Sequence, residues 1–193
     1  MDIARSKEAI RQLDEAHLRR RAEGFAELDK LRDFSEIEEP VQSLLLEAYY
    51  CYTYIFYDGS ILLSATALEL TLKTALSKEN SEYGKHNLAC LIDLAKERGI
   101  ITEQQAAQGH GIRKFRNAYV HQNSEQLGKM AGNDKILITA KDREEMMIMK
   151  MMVKQFRLDD ATKQHALTCL TNAYEITRDV YINLHKNRRG RAR

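Results

Sequence analysis

A chain of 193 residues with a single proline and nine glycines has very few places where a helix must stop. Proline removes a backbone donor and clashes with the preceding turn, and glycine carries the largest backbone entropy cost, so their scarcity leaves long helices as the default. β-Branched residues almost never alternate with polar ones, so strand signals are weak. The expected fold class is all-α. Hydrophobic residues at 44% and charged residues at 30% supply a core and a solvated surface. The length suits one domain with an appended arm.

Residues 1–34 read as a charged helical arm with a narrow apolar stripe (Ile10, Leu13, Leu18, Phe25, Leu28, Leu31), suited to leaning on the body or on a partner. Residues 35–186 read as the bundle and 187–193 as a basic disordered tail. Ser35 and Glu38 have capping-box spacing and open a helix to about Tyr57, dense in tyrosine; Asp58-Gly59-Ser60 reads as a tight break. The next helix, Ile61 to about Lys78, is apolar nearly all round and belongs in the middle of a bundle. Asn87 to Arg98 reads as a short helix stopped by Gly99, and Thr102 with Gln105 caps another that runs to about His121. A loop over 122–134, a brief extended stretch over 135–139, a methionine-rich helix capped by Asp142 and a last helix after Asp160 complete the pattern.

No stretch approaches eighteen apolar residues, and Met1–Glu8 lacks the apolar core of a secretory signal, so a cytoplasmic protein without a membrane span is expected. Cys51, Cys90 and Cys169 lack paired spacing and read as reduced thiols. His165 and Cys169 share a helix face, but no further ligand accompanies them, and no metal or cofactor is expected. The net charge of +2 conceals +5 on the last eight residues, which leaves −3 on residues 1–185. The body therefore offers no global attraction for nucleic acid, and any phosphate-binding surface must be local.

Such a local surface is legible near the end of the helix capped by Thr102. On a helical wheel Ile112, Phe115 and Tyr119 form a core face. Arg113, Asn117 and His121 follow one another on the other side, with Arg116 flanking them and the apolar Val120 among them. Guanidinium groups bind phosphate oxygens bidentately, an imidazole moves protons near neutral pH, and an amide orients either partner. Arg116 and His121 are five residues apart, about 140° around an ideal helix, so they converge only at a frayed end or across a second copy. Glu69, with Lys73 four residues on, sits among leucines, where a carboxylate needs a partner.

Arg116-Asn117-Ala118-Tyr119-Val120-His121 resembles the arginine, polar residue, spacer, histidine signature of the HEPN superfamily. The resemblance runs back over Ser64–Lys73, Leu91–Ala95 and Gly99–Ile101, and covers roughly residues 40–125. It implies a four- or five-helix bundle, here with an extra N-terminal helix, that forms a homodimer so that two motifs line one cleft. Active members are metal-independent endoribonucleases of toxin–antitoxin, phage-defence and RNA-processing systems, whose partners are RNA and an antitoxin or regulatory protein. By this resemblance His121 is the acid/base, Arg116 the phosphate clamp and Asn117 a positioning group. Glu69 lies outside the motif; the residues themselves suggest that it pairs across the bundle with Arg116 or Arg113. The superfamily also includes non-catalytic interaction modules and has a helical layout similar to mannitol-repressor-like regulators, which is the alternative reading.

Overall fold

The computed structural model describes residues 3–31, 33–77, 85–120 and 143–191, with side chains chiefly from Leu18 to Val120 and from Asp160 to Lys186. Among the described residues there are six α-helices and no strand: α1 (Ile3–Glu27), α2 (Val41–Thr53), α3 (Tyr57–Ser77), α4 (Leu88–Glu97), α5 (Glu103–Val120) and α6 (Arg143–Arg191). A short 3-10 turn, Asp29–Leu31, follows α1.

Helix α3 occupies the centre, packed against α2, α4, α5 and α6. Its apolar side chains on all sides explain this, since Ile61, Ala65, Leu68, Leu72 and Leu76 are fully buried. Each buried leucine or isoleucine contributes about 2 kcal/mol relative to exposure. One polar contact in this centre joins two helices, while the buried Ser60 and Ser64 hydroxyls of α3 have no hydrogen-bond partner among the described residues. The Thr71 hydroxyl donates to the Ala67 carbonyl at 2.8 Å and lies 3.0 Å from the Thr177 hydroxyl, which donates to it in turn.

Local signals fix both ends of α4 and the start of α5. The Asn87 side chain accepts from the Cys90 backbone N–H at 3.1 Å and starts α4. Gly99 ends it with φ +67°, and Ile100 N–H reaches back to the Ala95 carbonyl at 2.9 Å, the six-to-one bond of a Schellman turn. Thr102 and Gln105 form a reciprocal capping box: Gln105 N–H donates to Thr102 Oγ1 at 3.2 Å, and Thr102 N–H to Gln105 Oε1 at 2.9 Å.

Three expectations are corrected. The Ser35–Glu38 box does not form; Ser35 donates instead to Asp33 Oδ1 at 2.6 Å, and α2 opens only after Pro40. A proline disfavours helical backbone in the residue before it, so a helix cannot easily run through Glu39 into Pro40. The break after α2 falls at Tyr54–Phe56, before Asp58-Gly59-Ser60, with Ile55 at φ +71° in the position of another Schellman turn closed by Phe56 N–H and the Cys51 carbonyl at 2.8 Å. Asp58 and Gly59 are then already inside α3, where Asp58 complements the helix N-terminus. The methionine-rich segment and the last helix are one continuous α6, because Leu158-Asp159-Asp160 contains no residue that removes a backbone donor. That helix is described to Arg191 and carries Lys186, Arg188, Arg189 and Arg191 in its last turns. The expected extended stretch over 135–139 and the cap at Asp142 lie outside the described residues.

The arm packs on its own chain. Leu28 and Leu31 are buried, and a Cβ on Gly24 would sit 3.5 Å from Tyr52 and the Thr53 backbone. Tyr52 donates its hydroxyl to Glu27, and Lys163 of α6 holds the other Glu27 oxygen at 2.9 Å. Burial, then the Glu27 carboxylate, push the Tyr52 hydroxyl far above its ordinary range. Leu18 remains 62% exposed and does not join the stripe that the sequence suggested.

Candidate functional site

Helix α5 is placed by its small residues. A Cβ on Gly109 would lie 3.2 Å from Ile92 Cδ1 and 3.6 Å from Leu68 Cδ2, so the missing side chain is what lets α5 approach α4 and α3. Ala106, Ile112 and Ala118 are buried on α5, while Phe115 and Tyr119 are half-buried against the core. The face assigned to the core from periodicity is therefore the one that packs.

Arg116 points to α3. Its Nη1 donates to Glu69 Oε2 at 3.3 Å and its Nη2 to Asn117 Oδ1 at 3.4 Å. The second Glu69 oxygen accepts from Lys73 Nζ at 2.7 Å. The expected cross-bundle partner of Glu69 is thus Arg116, and one carboxylate is shared by two cations. The side chains of Glu69, Lys73 and Arg116 are 25%, 27% and 31% exposed, so the cluster lies at the surface with one edge in water. Arg113, one turn earlier on α5, has its Nε buried without a hydrogen-bond partner. Val120 is 52% exposed at the end of the helix. His121 follows the last described residue of α5 and lies outside the described residues. The structure therefore joins Glu69, Arg116 and Asn117, with Arg113 adjacent in sequence, and leaves the geometry of His121 undefined.

A neighbouring face of α5 carries a group that periodicity alone did not reveal. His165 of α6 stacks on Phe115 with ring centroids 4.2 Å apart, and its Nδ1 lies 3.1 Å from the Tyr119 hydroxyl. Tyr119 also reaches Thr162 Oγ1 at 3.0 Å. Burial holds the His165 imidazole below its ordinary pKa and raises the Tyr119 hydroxyl. Cys169, one turn on, is buried, and its thiol is pushed up to about 12. His165 is thereby committed to α5, and no group of three potential metal-binding side chains occurs among the described residues. No sequence signal could have linked Phe115 and Tyr119 to a histidine about fifty residues away.

Among the described residues no helix is long and apolar enough to cross a membrane. No protein-family model matches the chain, and neither the curated proteins nor the solved structures give a match. The class that fold and site define is an all-α protein, with six helices among the described residues and a surface cluster of arginine, asparagine, lysine and a shared carboxylate.

Proposed function

We propose that this chain is a HEPN-like, metal-independent endoribonuclease, with Arg116, Asn117 and His121 of two copies lining a dimer cleft. The observation that supports it best is the placement of Arg116. A carboxylate from the buried helix α3 fixes its direction, Asn117 lies at its side, and a third of it still faces solvent. A structural ion pair needs no open edge, whereas a phosphate-binding guanidinium does. The exposed Val120 beside this cluster suits cover by a second copy.

In this reaction the ribose 2′-oxygen attacks phosphorus as the bond to the 5′-oxygen breaks. His121 accepts the 2′-hydroxyl proton, and a proton is delivered to the leaving 5′-oxygen, giving a 2′,3′-cyclic phosphate and a free 5′-hydroxyl. Arg116 binds the non-bridging oxygens as their charge grows, and Asn117 orients the phosphate or the imidazole. No step calls for a metal. Cleavage of RNA in EDTA by the wild type and not by His121→Ala, leaving cyclic phosphate ends, is the expected result; equal cleavage by both rejects the assignment.

A second reading has one observation in its favour. Glu69 already occupies Arg116, as in a non-catalytic interaction or regulatory module whose motif serves only to join α3 to α5. A folded homodimer that cuts no RNA in the same assay would favour that reading.

A further inference from the structure

The bond lengths around Glu69 are unequal. Lys73 lies 2.7 Å from one oxygen, the spacing of a firm charge-assisted hydrogen bond, while Arg116 stands 3.3 Å from the other and 3.4 Å from Asn117. Arg116 is therefore the loosely held member of the group. A guanidinium that must grip phosphate first has to leave Glu69, and a carboxylate stripped of its sole partner in a half-buried place is costly. Lys73 removes that cost, because it is one turn along the same helix, in the favourable glutamate-to-lysine order, and stays on its own oxygen when Arg116 departs.

We infer that Lys73 is a positioning residue: it neutralises Glu69 so that Arg116 can exchange the carboxylate for a backbone phosphate of single-stranded RNA. The identity of that anion rests on the ribonuclease reading above. The exchange itself needs only an oxyanion that the arginine fork can take bidentately.

The test measures binding of a 2′-O-methylated single-stranded oligoribonucleotide, which lacks the attacking hydroxyl, by fluorescence anisotropy. The proteins are the full-length wild type, Lys73→Met, Lys73→Arg and the double variant Lys73→Met/Glu69→Gln. Lys73→Met should weaken binding about fivefold, since Arg116 is then the sole partner of Glu69. Lys73→Arg should stay close to wild type, and the double variant should regain wild-type affinity because the competing carboxylate is gone. A purely structural lysine, or one that touches the phosphate directly, gives no such rescue. Wild-type affinity in Lys73→Met, a double variant that stays weak, or no binding by the wild type overturns the inference. If Lys73→Met does not fold, the double variant alone decides on the same criterion. Cleavage of unmodified RNA is scored separately. Rescue of binding with no cleavage by the wild type rejects the ribonuclease and keeps the exchange, and cleavage by the wild type without rescue does the reverse.

Discussion

Two glycines lie in the interior of α5, two residues apart, and the structure predicts opposite outcomes for the same substitution at each. Replacing a helical glycine by alanine is worth about 0.8–1 kcal/mol where nothing else changes. At Gly111 a Cβ meets nothing within 4 Å, so Gly111→Ala should realise that gain. For a chain of this size it raises the melting temperature by about 2 °C. At Gly109 the new Cβ would stand 3.2 and 3.3 Å from two atoms of Ile92, a side chain fully buried between α4 and its neighbours. Overpacking of that kind costs about 1–3 kcal/mol, which exceeds the propensity gain. Gly109→Ala should therefore lower the melting temperature while Gly111→Ala raises it. Because Gly109 sets how closely α5 lies against α3 and α4, its variant should also weaken whatever Arg116 does beside Glu69. Paired thermal melts by circular dichroism are sufficient. Equal stabilisation by both variants would refute the close approach that positions the site.

Three further outcomes follow from the same structure. Glu69→Gln should keep the fold, with a stability loss of about 1 kcal/mol by urea titration for a part-exposed pair, yet cut RNA at least tenfold more slowly; unfolding would mark the pair as purely structural. Thr102→Ala removes one half of a reciprocal cap and should cost about 1 kcal/mol in the same titration, with no change expected from Thr66→Ala on the exposed side of α3 beyond a few tenths. His165 has a folded pKa below its ordinary 6.5, so the unfolded chain binds the proton more readily, and its contribution to stability is present above that pH and lost as pH falls through the folded value. Melting temperatures measured across pH 7 to 5 should fall, and His165→Gln should flatten the slope.

What could be read in advance was local. The Thr102–Gln105 box and the Gly99 stop depend on residues within one turn of each other, and both are present; Asn87, read as the first residue of its helix, is instead its N-cap. The Ser35–Glu38 spacing fits the same rule but fails, because Pro40 excludes helical backbone just before it. Ile55 took the left-handed position where a glycine was the natural signal, so the break after α2 was placed too late. Contacts between distant segments divide in the same way. Glu69 had to be paired because of where it sits, so a basic partner on the motif helix could be expected, and Arg116 is that partner. The Tyr52–Glu27–Lys163 link and the His165 stack on Phe115 join residues 25 to 136 positions apart, and only the packed chain brings them together.

The central claim is tested most directly by incubating transfer RNA in EDTA with the wild type, Arg116→Ala and His121→Ala at matched protein concentration. The account predicts cuts by the wild type that end in 2′,3′-cyclic phosphate and their loss in both variants. Undiminished cutting by either variant, or none by the folded wild type, would contradict it.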